Sequence, residues 1–352
     1  MLIRPTLLCP DNFTPASRTP WGGTRLLREF KHNLGIEDAL DRTVGESWEL
    51  SAGPEFPSMT QAGERLSTVV AANPEAWLGD EARTGGTGTA LLVKWLDARD
   101  DLSLQIHPED DYRGLATDEA GKLEAWYVVA HEPGAGLYLG FRPGVGEADV
   151  RRMLGADGDL RTLMRFETVA RGDFVLLTPG TPHAVGRGVT LIEPQHVAPG
   201  HRGVTYRYWD FGRRYDAAGR LDPNGKPREL HLEHALAVTR FDTRGELRAR
   251  CRWPALDHGA RCELLSGPEP DAALRSTRLR VARAYGTGQS QLPAWNALRA
   301  VTVIEGAAVI GSGAEAVTVE AGRTLAVPAA CGPIAVMLDR AHLLLAAACA
   351  SG

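Results

Sequence analysis

From Leu91 onward the chain alternates short apolar runs with Gly, Pro and Asp turns, and the runs have the period-2 pattern of strands. The pattern predicts strands over Leu91 to Leu96, Leu102 to His107, Glu124 to Val129, Leu137 to Phe141, Phe174 to Leu177, Val189 to Glu193 and Thr205 to Trp209. Two interruptions have helical spacing: Glu147 to Phe166, through Val150, Met153, Leu154, Leu160, Leu163 and Met164, and Glu229 to Val238, through Leu232, Ala235 and Leu236. Before Leu91 the chain reads as loop-rich antiparallel structure, with one short helix over Pro74 to Leu78 stopped by Gly79. A flexible glycine loop follows over Thr84 to Thr89; it lacks the Lys-Ser/Thr of a phosphate loop, so no nucleotide site is expected there.

The strand over Leu102 to His107 has two unlike faces. Its apolar residues alternate with Ser103, Gln105 and His107. A hydroxyl, an amide and an imidazole on one face suit a small barrel with a wet, ligand-binding interior better than a sandwich strand facing solvent. Arg171 to Pro179, followed by His183, is echoed weakly by Ala321 to Pro328, followed at the matching distance by Gly332 instead of histidine. The echo predicts a duplicated barrel whose second copy has no metal. The expected fold is therefore mainly β, two barrels with a few helices. Residues 1–240 would form the metal-binding domain, and residues 241–352 a second barrel.

Length and composition agree with this division. The chain has 352 residues, 43% hydrophobic and 24% charged, enough for two ordinary cores. A net charge of -5 gives no electrostatic reason to expect nucleic acid or membrane partners. The N-terminus reaches Pro10 and Asp11 too soon for a signal-peptide core, and Cys9, Cys251, Cys262, Cys331 and Cys349 show no CxxC spacing. Together these suggest a reduced, cytoplasmic protein of unspecified oligomeric state.

Gln105, His107, Glu124 and His183 supply the ligand types of one divalent metal site. Each has a plainer reading, since a strand-end histidine is most often a hydrogen-bonded structural residue. Their combination is more telling. Gln105 and His107 are two apart and share a face, Glu124 opens an apolar strand where an unpaired charge is costly, and His183 follows the rigid turn Thr178-Pro179-Gly180-Thr181-Pro182. Such a set suits Zn, Fe or Mn, and the absence of thiolate points to a catalytic site with an open position. His231 and His234, three apart, fit a solvated helix face better than a ligand pair, and His196 and His201 fit a surface loop around Pro199-Gly200. Lys94, Lys122 and Arg207 lie within or beside the same strands, where single basic residues would ordinarily face solvent. Three together with a metal would make a pocket for a phosphorylated or carboxylated small molecule.

The segments Trp21-Gly22-Gly23, Gly45-Glu46-Ser47-Trp48-Glu49, Leu92-Val93-Lys94-Trp95-Leu96-Asp97-Ala98, Leu102 to Pro108, Gly121-Lys122-Leu123-Glu124-Ala125-Trp126-Tyr127, Pro179-Gly180-Thr181-Pro182-His183-Ala184 and Thr205-Tyr206-Arg207 occur in the order found in the type I mannose-6-phosphate isomerases. The chain resembles that family, in its shorter bacterial branch, from about Pro20 to Leu236. The resemblance implies that the two barrels are cupin (jelly-roll) barrels, with one zinc per chain on Gln105, His107, Glu124 and His183, and interconversion of mannose 6-phosphate and fructose 6-phosphate through an enediol. It further implies that Arg207, Lys122 and Lys94 act in catalysis and, with Glu193, in substrate binding.

One position departs from the family pattern. An aspartate usually stands four residues before the arginine, and here that residue is Gly203. His201, Glu193 or Asp210 could replace it, although alternation puts Asp210 on the face opposite Arg207. The alternatives are an isomerase of another sugar phosphate, an iron-dependent cupin oxygenase, or a sugar-phosphate binding protein without catalysis.

Overall fold

The computed structural model describes residues 3–35, 40–84, 88–241, 244–311, 313 and 316–349. The first part carries β1 (Thr6–Leu7), β2 (Glu46–Leu50), β3 (Leu91–Asp97), β4 (Leu104–Ile106), β5 (Glu119–Ala120), β6 (Leu123–His131), β7 (Gly136–Phe141), β8 (Met164–Thr168), β9 (Asp173–Leu177), β10 (His183–Val185), β11 (Val189–His196), β12 (Arg202–Gly203) and β13 (Tyr206–Trp209). Each of the seven expected strands has a counterpart. The fold is mainly β, as expected.

Two sheets face each other. One has the order Glu246–Arg250, β9, β6, β11, β3, β2; the other runs β13, β4, β10, β7, β8. Trp126, Val128, Val175 and Leu191 from the first pack against Leu137, Leu139 and Val185 from the second, forming the apolar half of the interior. The first sheet is buried on its outer face too. There Trp95, Ala125, Tyr127, Phe174 and Ile192 meet Leu26, Leu27 and Phe30 of the N-terminal segment and Leu279, Ala300 and Leu344 of the C-terminal part. Burial on both faces explains why β6 and β9 read as nearly continuous apolar runs.

The four α-helices among the described residues are short: α1 (Leu66–Ala72), α2 (Pro74–Leu78), α3 (Glu147–Gly155) and α4 (Leu232–Val238). In α2 the expected signals operate, with Asn73 Oδ1 accepting from the Ala76 N–H at 3.2 Å and Gly79 at φ +57° ending the helix. The helix expected from Glu147 to Phe166 is three elements. α3 stops at Gly155, Asp157 adopts φ +51° beside Gly158, a 3-10 turn covers Leu160–Leu163, and Met164 begins β8, which pairs with β7. Two glycines three apart break the helix, and the joined pieces imitate one period. The second expected helix starts at Leu232 instead of Glu229. Of the expected glycine loop, Gly85, Gly86 and Thr87 lie outside the described residues.

The C-terminal part supplies seven strands of an eight-stranded sheet, the eighth being β1, centred on the long strands Leu279–Leu292, Arg299–Ile310 and Ile334–Ala348. Register shifts between Gly286 and Gly288 and between Val303 and Ala307 accompany its curling around Val301, Val303, Leu325, Leu343 and Leu345. Gly172 and Gly322, which match in the sequence echo, both have positive φ, +91° and +82°, each just before a strand. Strands are exchanged across residue 240: β1 pairs with Thr324–Val327, and Glu246–Arg250 pairs with β9. A fully buried ion pair lies at this junction. Lys31 Nζ is 2.8 Å from Glu49 Oε1 and donates to the carbonyls of Pro10 and Gly322 at 2.7 and 3.1 Å. Among the described residues no helix is long and apolar enough to cross a membrane.

Candidate metal centre and substrate cavity

A turn brings the two key imidazoles together. Gly180 takes φ +84°, a conformation that disfavours a side chain, and its N–H donates to the His107 carbonyl at 2.8 Å. The chain then enters β10, where His183 pairs with Gln105 of β4; Gln105 in turn pairs with Arg207 of β13. On the facing sheet, Glu193 of β11 stands opposite Lys94 of β3, and Gln195 stands opposite Glu124 of β6. Cross-strand register, acting on residues far apart in sequence, assembles the polar half of the interior.

His107, Glu124 and His183 offer ligand atoms that all lie within 4.8 Å of one another, and each residue is at most 2% exposed. His107 Nδ1 lies 3.0 Å from the Val204 carbonyl and His183 Nδ1 lies 2.8 Å from the Thr181 carbonyl. A carbonyl only accepts, so both Nδ1 atoms carry the proton and both Nε2 atoms present lone pairs. Those Nε2 atoms face Glu124, at 3.1 Å for His107 and 3.5 Å for His183, yet lone pairs meeting a carboxylate form no hydrogen bond. Indeed His107 Nε2, His183 Nε2 and Glu124 Oε2 are buried with no hydrogen-bond partner among the described residues. Three orphaned electron-pair donors, with both rings oriented by backbone carbonyls, fit a divalent cation. Gln105 and Glu124 reach the cavity described below, where a further ligand has access.

Electrostatics keep these donors in their metal-binding forms. Burial, reinforced by the charge of Lys122, pushes His107 down to about 3, and burial likewise lowers His183. Burial alone would raise Glu124, but the charge of Lys122, whose Nζ is 2.9 Å away, outweighs it and holds the carboxyl well below its usual range. The unfolded chain takes up a proton on each such histidine below about pH 6.5, whereas the folded metal-free chain does not. Stability should therefore fall as pH drops from about 6.5 towards 3. Denaturant titrations of metal-free protein across that window should show His107→Ala flattening the slope by about 1.4 kcal/mol per pH unit. An unchanged slope would mean that His107 is protonated in the fold.

The cavity has a volume of about 390 Å³, and its wall includes Lys94, Gln105, Lys122, Glu124, Glu193 and Arg207. All eight residues singled out in the sequence thus converge, six on the wall and His107 and His183 enclosed by protein. Lys94 lies over the Trp48 ring at 4.2 Å, with Glu46 and Glu193 at 3.8 and 3.9 Å. Lys122 also donates to Thr205 Oγ1 at 3.2 Å. Among the described residues Arg207 donates only to neutral acceptors, Ser103 Oγ at 3.1 Å and the Glu229 carbonyl at 2.8 Å. Burial and the neighbouring Arg228 bring its guanidinium down to about 10. A half-buried cation without a carboxylate contact is a receptor for an anion. Burial, then the charge of Glu124, push Glu193 up to about 8 against the pull of Lys94 and Lys122; Trp126 Nε1 donates to it at 2.8 Å.

A side chain at Gly203 would make its neighbours shift. It pairs with Ala120, and a Cβ there would lie 2.9 Å from Val197 Cγ2 and 3.1 Å from Lys122 Cδ. Of the three possible substitutes, Asp210 is taken up by Arg213 and Arg228 and lies off the cavity wall, whereas Glu193 and His201 line it. His231 and His234 pack against Tyr206, the latter ring stacked at 4.8 Å, and His231 Nδ1 accepts from the Arg207 N–H at 3.2 Å. His196 corrects the surface-loop expectation: β11 runs on to include it, and it is 5% exposed. The segment reads as loop in the sequence because Pro199-Gly200 follows closely, but the turn begins only after the strand has ended at His196. The sequence does not single out Gln195, although its two-residue spacing from Glu193 is an available signal.

Residues 15–135 match the family model "Phosphomannose isomerase type I, catalytic domain". Two curated relatives are the mannose-6-phosphate isomerases of Streptococcus mutans, 34% identical over 222 residues, and of Bacillus subtilis, 32% identical over 222 residues. The aligned part is 62% of this chain in both cases, and 63% and 64% of those proteins. The chain thus spans just under two thirds of the length of the curated relatives it matches. The crystal structure of the mannose 6-phosphate isomerase from Bacillus subtilis superposes with a TM-score of 0.76 at 23% identity, over 97% of this chain and 99% of that one. The apo enzyme from Salmonella typhimurium gives 0.68 at 14% identity, over 99% and 100%. The resemblance drawn from the sequence motifs is therefore met by a family model, by curated relatives and by the fold.

Proposed function

We propose that this chain is an aldose–ketose isomerase interconverting mannose 6-phosphate and fructose 6-phosphate, with one zinc ion per chain on Gln105, His107, Glu124 and His183. The observation that carries the reading is the orphaned donor set His107–Glu124–His183, placed beside a cavity that also holds the carboxylate-free Arg207. A bound divalent ion would polarise substrate oxygens there. The chain's own residues account for the rest. Lys94, Lys122 and Arg207 bind sugar and phosphate oxygens, and Arg207 offsets the charge that develops on an enediolate. Glu193, buried with a pKa near neutrality, can hold the proton that moves between C2 and C1. The five free cysteines support a reducing, cytoplasmic setting.

The test is a coupled isomerase assay on zinc-loaded protein. Turnover of mannose 6-phosphate is the expected result; binding without turnover would identify a sugar-phosphate binding protein, the reading that Gly203 favours. Running the assay on Glu193→Gln and His201→Ala assigns the proton carrier, since a kcat loss confined to one variant places the role there. Arg207→Ala should lower kcat by about 10²-fold while changing KM much less, because its contact strengthens as charge develops. An unchanged kcat would remove Arg207 from the chemistry.

A further inference from the structure

Gln195 uses its amide nitrogen twice inside the site. Nε2 donates to Glu124 Oε1 at 2.7 Å and to Glu193 Oε2 at 2.6 Å. The side chain sits across the strand pair from Glu124 and shares a face with Glu193, and the residue is 1% exposed. An ionised carboxylate only accepts, so the amide nitrogen is the end that faces Glu124. The contact has a directional consequence for Glu124. Its Oε1 is engaged by Gln195 and by Lys122 at 2.9 Å, which leaves Oε2 without a partner among the described residues, 3.5 Å from His183 Nε2.

We propose that Gln195 is a positioning residue. It holds Glu124 with Oε1 engaged on the side of His107 and Oε2 left free towards His183, and it keeps Glu193 beside that group in the cavity. One amide then links the metal-binding carboxylate to the carboxylate proposed to carry the proton. The proposal rests on the metal reading given above. It predicts more than a satisfied buried glutamine would, because a glutamine that only fills space contributes to folding and not to metal affinity. Lys122 grips the same oxygen but cannot replace it, since the ammonium that pairs with Glu193 is that of Lys94.

The test compares wild type with Gln195→Met, which keeps length and loses both donors, and with Gln195→Asn, which stays polar but is too short to bridge. Zinc affinity is measured by competition with a chromophoric chelator, and the ligand field is read from the absorption of cobalt(II)-loaded protein. Both variants should bind zinc about 10- to 100-fold more weakly, the loss typical when a group orienting a metal ligand is removed. The cobalt spectrum should change, and kcat should fall with KM little altered. Zinc affinity and spectrum equal to wild type, with only a lower melting temperature, would overturn the proposal. Gln195→Asn provides the readout should Gln195→Met fail to fold. Failure of the wild type itself to bind zinc would overturn the metal reading and this proposal together, whereas tight wild-type binding with unchanged variants overturns this proposal alone.

Discussion

His183→Ala should leave a folded protein that retains almost no metal and has no measurable isomerase activity. Removing a group that merely orients a ligand costs about 10- to 100-fold in affinity, so losing one of three buried donors should exceed that range. The fold should survive because His183 lies at the polar end of the interior, while Trp126, Val128, Leu137 and Leu191 form an apolar core of their own. The neighbours adapt unequally. The Thr181 carbonyl loses its partner, and His107 and Glu124 keep Val204 and Lys122. Elemental analysis after gel filtration, with a thermal melt of the same sample, decides the matter. One metal per chain in the variant would take His183 out of the site.

Lys31→Met should be among the most destabilising single substitutions in the chain, by about 3–5 kcal/mol. The ammonium joins three parts of the fold. It contacts Glu49 in β2, the Pro10 carbonyl of the N-terminal segment and the Gly322 carbonyl of the C-terminal sheet. Burial pushes its pKa down even though Glu49 opposes the shift, which shows how much solvation the group has given up. Removing Lys31 would leave Glu49, 2% exposed, with the hydroxyls of Ser47 and Thr324 as its side-chain partners among the described residues. A buried ion pair need not add net stability, however, so Lys31→Met combined with Glu49→Leu should recover most of the loss. Denaturant titrations of both singles and the double mutant form the cycle. Additive losses would show that the two residues act independently.

Much of the site is legible in the order and spacing of residues alone. Period-2 alternation puts Gln105 and His107 on one face, an acid opening an apolar strand marks Glu124, and a Pro-Gly-Thr-Pro turn marks His183. Local pattern misleads where short elements abut. Glu147 to Phe166 keeps a helical period across a helix, a turn and a strand, and β11 continues through Pro194 to a buried His196. The strand exchange across residue 240 leaves no local trace, because pairing partners are chosen by contacts between segments distant in the chain.

The sequence by itself determined the strands, the donor types gathered in the interior and the family motifs, since each depends on residue type and on spacing within a few positions. Only the tertiary structure decided how the charged groups are shared. Among the described residues Glu124 is gripped by Lys122 and Gln195 on one oxygen and free on the other, Arg207 has no carboxylate contact, Asp210 is taken up by two arginines, and Gly203 sits against the side chains of Val197 and Lys122. Those outcomes follow from cross-strand register and burial. A charged group's partner, and therefore its protonation state and its readiness to bind, is set by which residues from remote strands reach it within about 4 Å after water has been excluded.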